Sequence, residues 1–329
     1  MRPAAQTAAA TALKATATGP AIRVGLIADV QYCDKEDGWN YSKTEKRAYR
    51  GSLECLRKAV TYWEQGPSLT FVAQLGDLID GNCMKLGITD ECMQRVEEAL
   101  RPVSSPVVHL LGNHELYNYS RAQLAARLNT QVEGREYYTL QYPGWRVVVL
   151  DPYQVAAIGW EKEDPRFQEA ERILREKNPN YGVTDDWFRG MEGLNRRFVP
   201  YNGGLGAEQL GWFRAQLTAA QEAGDRVIVL SHVLLHPSQR VDVSDTTVFD
   251  FEEALEVIRA CPVVAAVLCG HDHSGGYFFV DGAHHITLQS PLHKGADSLA
   301  FGRMDVYDDR LVVHGPGVGD LLAAAAMEG

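Results

Sequence analysis

"TFVAQLGDLID", residues 70–80, decides the architecture: an apolar run ends at Leu75 and passes at once into Gly76, Asp77 and, three residues later, Asp80. A short apolar, β-branched run bounded by a turn signal reads as a buried strand, and Gly-Asp as a tight turn at its carboxyl end. The pattern recurs four times. "IRVGLIA" (22–28) leads into Asp29 and Gln31, and "VVHLL" (107–111) into "GNHE" with Asn113 and His114. "DRVIVL" (225–230) leads into His232, and "VVAAVLC" (263–269) into "GHDH" with His271 and His273. "WRVVVL" (145–150), "HITLQ" (285–289), "FGRMDVY" (301–307) and "RLVVHG" (310–315) complete the predicted strands. Tyr49, Leu53, Leu56, Val60 and Trp63 form one face of a helix, and Leu210, Phe213, Leu217 and Ala220 form another. Strands alternating with helices predict an α/β domain. In such sheets ligands bind beyond the carboxyl ends of the strands, so the five polar turns are expected to meet at one site.

The 329 residues are 45% hydrophobic, enough for a large core, and carry a net charge of -11 with a pI near 5.4. That field repels nucleic acid and anionic membrane, so neither is an expected partner, and an anionic substrate needs a local positive centre such as metal ions. No apolar run reaches the roughly 18 residues of a membrane span. The six cysteines form no CxxC pair or regular framework, which predicts free thiols in a reducing, intracellular setting. Residues 1–20 are rich in Ala and Thr and precede the first acidic residue, a composition that suits either a disordered extension or an organellar transit peptide. Residues 21–320 are expected to form a single domain acting as a monomer, interrupted by a charged, aromatic insertion near 151–205 and followed by a short tail, 321–329.

Asp29, Gln31, Asp77, Asn113, His232, His271 and His273 supply two carboxylates, two amides and three imidazoles. A mixed oxygen and nitrogen set suits Mn, Fe or Zn rather than calcium or a thiolate zinc site. Seven ligands exceed the needs of one tetrahedral ion, whereas two ions sharing a carboxylate fit the number. Asp29 and Gln31, as positions i and i+2 of a strand, are expected to face one metal, and an extended backbone between His271 and His273 would direct the two rings at different metals.

In their order, D-x-Q, GDxxD, GNHE, H and GHDH resemble the calcineurin-like metallophosphoesterases. The Gln in place of the usual first-motif His, within "IADVQYCDKEDGWNY", is similar to the branch of manganese-dependent ADP-ribose/CDP-alcohol diphosphatases. The resemblance implies a four-layer αββα sandwich of two mixed sheets flanked by helices. It implies two divalent ions, Mn²⁺ foremost with Zn²⁺, Fe or Mg²⁺ as alternatives, and a small nucleotide diphosphate substrate. Asp29, Gln31 and His273 would hold one ion, Asn113, His232 and His271 the other, and Asp77 both. A hydroxide between the ions would attack phosphorus in line, with His114 stabilising the transition state or protonating the leaving group. Asp80 and Asp151 are expected to orient imidazoles, Tyr32 and Cys33 to line the approach, and the insertion's aromatics to stack a nucleobase. The same ligands would serve a cyclic-nucleotide phosphodiesterase or a protein phosphatase. A non-catalytic scaffold of this fold would tend to lose some of them.

Overall fold

The computed structural model describes residues 19–40, 43–237 and 245–316, so the extension before residue 19 and the tail at 321–329 lie outside the described residues. The first half runs β1 (Ile22–Ile27), β2 (Gly38–Trp39), β3 (Lys46–Arg47), α1 (Tyr49–Gln65), β4 (Phe71–Gln74), α2 (Asn82–Leu86), α3 (Thr89–Leu100), β5 (Val107–His109), α4 (Asn113–Asn118), α5 (Arg121–Leu128), β6 (Tyr138–Tyr142) and β7 (Trp145–Val149). The second half runs β8 (Val155–Ala156), α6 (Pro165–Lys177), β9 (Gly203–Gly204), α7 (Gly206–Ala223), β10 (Arg226–Leu230), α8 (Phe251–Ala260), β11 (Val264–Cys269), β12 (Gly276–Val280), β13 (Ala283–Thr287), β14 (Gly302–Val306) and β15 (Leu311–His314).

Two mixed sheets result, one ordered β15-β14-β1-β4-β5 and the other β12-β13-β11-β10-β7-β6. In the first, β1, β4 and β5 are parallel, and Ile27, Gln74 and His109 lie in one row at their carboxyl ends. In the second, β7, β10 and β11 are parallel, with Val149, Leu230 and Leu268 in a row. The period of two along each strand separates two cores. Ile22, Val24 and Leu26 of β1, with Phe71 and Ala73, meet Val147, Ile228, Leu230 and Leu268 between the sheets. Ile27 and Val72 point the other way, toward the apolar face of α1, and Val227, Val229 and Val267 point toward the faces of α7 and α8. The helical spacing seen in the sequence is therefore what closes the outer layers. Truncating a fully buried residue between the sheets, such as Leu230→Ala, would cost about 2–5 kcal/mol.

Residues 151–205 are largely ordered by local bonds and a small apolar cluster of Ala170, Leu174, Phe198 and Phe249. Asn178 donates to the Phe198 carbonyl at 2.7 Å and Asn180 to the Arg189 carbonyl at 2.8 Å, closing the segment on itself. Among the described residues, no helix is long and apolar enough to cross a membrane.

Candidate metal centre

The turns after β1, β4, β5, β10 and β11 meet at one end of the two sheets. Backbone pairing continues past the strands and sets their positions: Asp29 N–H donates to the Gly76 carbonyl at 3.0 Å, Gln31 N–H to that of Asp77 at 2.8 Å, and Gly270 N–H to that of His232 at 3.0 Å. The backbone differs from the strand alternation expected of Asp29 and Gln31. β1 closes at Ile27, and Asp29, Gln31, Asp77 and His271 all take left-handed backbone, with φ of 52, 43, 60 and 66°. His271 is thus in a turn, not in an extended segment. Left-handed conformations cost a non-glycine residue roughly 1–2 kcal/mol and concentrate where function requires them. Glycines admit the close approach. A Cβ at Gly112 would lie 2.0 Å from Asp77 Oδ1, and one at Gly270 would lie 2.6 Å from Asp29 Oδ2.

Asp77 occupies the middle of the cluster, almost fully buried. Its Oδ2 accepts from Gln31 Nε2 at 2.9 Å and lies 3.5 Å from His232 Nε2, and its Oδ1 accepts from the His114 N–H at 2.9 Å. On one side, Gln31 Nε2 is 2.8 Å from His273 Nε2, which is 3.6 Å from Asp29 Oδ1. On the other, ligand atoms of Asp77, His232 and His271 lie within 4.8 Å of one another. Asn113 is buried at the start of α4, bonded to Tyr153 Oη at 3.4 Å and to Tyr117 Oη at 3.3 Å. Gln31 presents its amide nitrogen to Asp77 and His273, while Arg47 holds its oxygen at 3.1 Å. Ligation through Oε1 therefore requires the amide to turn over and release Arg47.

The ring nitrogens are committed by their neighbours. His232 Nδ1 donates to the Leu75 carbonyl at 2.6 Å, so its Nε2 is the ligand atom. That Nε2 is buried and has no hydrogen-bond partner among the described residues, which is the environment of a group that expects a cation. His271 Nε2 is 2.7 Å from Asn202 Oδ1, leaving Nδ1 to ligate. Burial pushes His271 down to about 3 and, with Arg47 and His293 nearby, holds His273 well below the imidazole range, so both rings are neutral and able to bind metal. Burial and the charge of Asp77 raise Asp29, although His232 opposes them. For Asp77 burial also works upward, but the charge of His232 foremost outweighs it and keeps the carboxyl ionised. Burial depresses His232, yet Asp77 prevails and raises it to about 9. Divalent cations among these groups would satisfy both carboxylates and displace the His232 proton, so the residues fit a dinuclear centre.

Above the cluster opens a cavity of about 760 Å³, within the range of a nucleotide-sized ligand. Its wall holds the carboxylates of Glu45, Asp77, Asp185, Asp186, Asp245 and Asp272, the aromatic rings of Trp187, Phe188 and Tyr201, and, among its described residues, Arg47 as the one Lys or Arg. Asp80 lies beneath His114, its Oδ2 3.4 Å from Nδ1, and Arg47 Nη1 is 3.6 Å from the same oxygen. Three expectations are corrected. Asp151 pairs with Arg121 at 2.8 Å and caps the Tyr153 N–H at 2.9 Å; it reaches no imidazole of the cluster. Tyr32 and Cys33 are 2% and 0% exposed and face the helices behind the centre, so they do not line the approach.

Two residues escaped the sequence reading. Glu115 is buried and accepts the N–H groups of Asp77, Leu78 and Gly112 at 2.7, 2.5 and 2.9 Å, tying two of the turns together. Its place in "GNHE" was the available signal. Asn202, which fixes His271, arrives from the far end of the insertion with only the turn-like "YNGG" around it.

This arrangement of sheets and donors is that of a metallophosphoesterase, and the chain belongs to the calcineurin-like phosphoesterase family, whose pattern matches residues 22–275. It is 40% identical over 303 residues to the manganese-dependent ADP-ribose/CDP-alcohol diphosphatase of Arabidopsis thaliana, covering 90% of this chain and 94% of the relative. To the protein of the same name from Danio rerio it is 37% identical over 314 residues, covering 91% and 96%. A crystal structure of a dimetal phosphatase from Danio rerio matches with a TM-score of 0.82 at 36% identity, over 91% of this chain and 96% of that one.

Proposed function

We propose that this chain is a manganese-dependent diphosphatase that hydrolyses ADP-ribose to AMP and ribose 5-phosphate, and CDP-alcohols to CMP and the phospho-alcohol. One observation carries the reading: Gln31, Asp77, Asn113, His271 and His273 line a cavity walled by carboxylates, with Asp29 beside His273 and His232 beside Asp77 beneath them, and Arg47 is the one guanidinium among the described residues of its lining. A diphosphate can enter such a cavity only against cations, so the donor set and the substrate's charge call for the same two ions. The names of the relatives support the substrate class. Asp29, Gln31 and His273 would hold one ion, Asn113, His232 and His271 the other, and Asp77 both. Gln31 in place of an imidazole hardens the set and favours Mn²⁺. When bound, such ions neutralise phosphoryl charge and lower the pKa of water.

The chain's own residues do the rest. His114 Nδ1 accepts the Gly81 N–H at 2.7 Å, so the ring carries its proton on Nε2, which lies 3.9 Å from Asp77 Oδ2. An imidazole in that tautomer directs an N–H toward charge developing on phosphoryl oxygen. Trp187, Phe188 and Tyr201 offer the base a face, and their position on the insertion gives that segment its role in substrate choice. No second copy is needed to complete the site, and the working form is a monomer.

The test is hydrolysis of ADP-ribose, CDP-choline, ATP and bis-p-nitrophenyl phosphate by the metal-stripped full chain resupplied with Mn²⁺, Mg²⁺ or Zn²⁺. Release of AMP and CMP dependent on Mn²⁺ is expected. Turnover of the artificial diester alone would discard the substrate, and inactivity with every ion would discard the enzyme.

A further inference from the structure

Cys33, Cys83 and Cys92 come from three separate elements: the turn after β1, the first turn of α2, and α3. Their sulfurs nevertheless lie within 4.8 Å of one another, and all three residues are 0% exposed. The other three cysteines, Cys55, Cys261 and Cys269, join no such group among the described residues. Cys92 Sγ already accepts the Asp34 N–H at 3.4 Å, and Cys83 Sγ lies 3.4 Å from the Tyr32 carbonyl. A backbone N–H aimed at sulfur is the kind of outer contact that steadies a metal thiolate.

We propose that Cys33, Cys83 and Cys92 form a second metal site, a trigonal thiolate site for a soft ion of low coordination number, with monovalent copper as its class. Thiolates select such ions over the manganese suited to the oxygen and imidazole centre. Zinc in a structural site takes four ligands, and no fourth His, Cys, Asp or Glu belongs to this group among the described residues. An ion about 2.3 Å from each of three sulfurs needs them about 4.0 Å apart, so each sulfur moves by about half an ångström at most. Each sulfur that binds gives its proton to solvent as the metal–sulfur bond forms. The ion would tether the turn that carries Gln31 to the two helices that follow Asp80. Tyr32 and Asp80 are already joined there, the Asp80 N–H donating to the Tyr32 carbonyl at 3.0 Å.

The experiment uses the reduced, manganese-loaded full chain, titrated without oxygen with Cu(I) held by bicinchoninate and followed to completion, since the sulfurs are sealed from solvent. One equivalent should leave the coloured chelate. Losing even an outer partner of a metal ligand lowers affinity about 10–100-fold. Cys33→Ala, Cys83→Ala and Cys92→Ala should therefore each weaken retention at least that much, with Cys55→Ala and Cys261→Ala unchanged. X-ray absorption of the wild-type complex, which needs no substitution, should show three sulfur neighbours. Retention that survives the triple alanine variant, nitrogen and oxygen neighbours only, or no uptake would overturn the site.

Discussion

Asn202 offers a sharp perturbation because its side chain makes three separable bonds. Its Oδ1 holds His271 Nε2 at 2.7 Å, and its Nδ2 donates to the carbonyls of Arg197 and Asp245 at 2.9 and 2.7 Å, all in a residue that is 0% exposed. Asn202→Ala removes all three. Loss of an outer partner of a ligating imidazole lowers metal affinity by about 10–100-fold, or roughly 1.4–2.7 kcal/mol. The orphaned carbonyls add about 1–3 kcal/mol each in lost stability. Asn202→Asp keeps the acceptor facing His271 but sets an oxygen against both carbonyls. It should therefore unfold at lower urea, by about 3 kcal/mol, while binding Mn²⁺ as tightly as the wild type once folded. Calorimetric Mn²⁺ titration and urea unfolding of the two variants read the two effects independently. Wild-type Mn²⁺ affinity in the alanine variant, or equal losses of affinity in both, would refute the argument that Asn202 acts by fixing the His271 tautomer.

Replacing His114 with Ala should lower kcat by about 10²–10³ with metal content intact, the scale of one lost donor to a transition-state oxyanion; metal analysis of the purified variant separates this role from ligation. Gly112→Ala should abolish Mn²⁺ binding, because its Cβ would sit 2.0 Å from Asp77 Oδ1, whereas Gly211→Ala on the exposed side of α7, with open space around it, should raise stability by about 0.5–1 kcal/mol in the same urea assay. Burial and the neighbouring His236 push His285 down to about 4 from an unfolded value near 6.5, so the unfolded chain takes up the proton first as pH falls. The stability associated with a neutral His285 is complete above pH 6.5 and lost toward pH 4. Unfolding midpoints across that window should decline less steeply for His285→Leu, by up to about 3 kcal/mol at the acid end.

The five strand-end turns were legible because buried parallel strands are continuous apolar runs, and a polar residue after such a run has one place to go. α1 and α7 were legible from period. The strands β6 and β12 were not: they are the outer strands of the second sheet and most of their residues are only partly buried, "YTLQY" carries no continuous apolar run, and the short aromatic run in "GYFFV" delivers no polar turn to the site. The left-handed backbone of Asp29, Gln31, Asp77 and His271 leaves no trace in hydrophobic patterning, which is why strand alternation was the natural and mistaken reading of the first two. Asp151 follows β7 just as Asp77 follows the end of β4, yet a buried Arg121 from α5 claims its carboxylate. Sequence spacing also hid the three clustered thiols, because their meeting depends on how α2 and α3 dock against the turn after β1.

The carboxylates around the cavity bear on what happens after the bond breaks. Under the proposed reaction, an anhydride with about one negative charge per phosphorus becomes two monoesters with about 1.5 to 2 each. Negative charge inside the acidic wall rises at the moment of cleavage, and Arg47, the one guanidinium among the described residues of the lining, cannot offset it for both products. The same wall that makes entry dependent on cations therefore expels what is made, and a chain of net charge -11 is well suited to letting nucleotides leave.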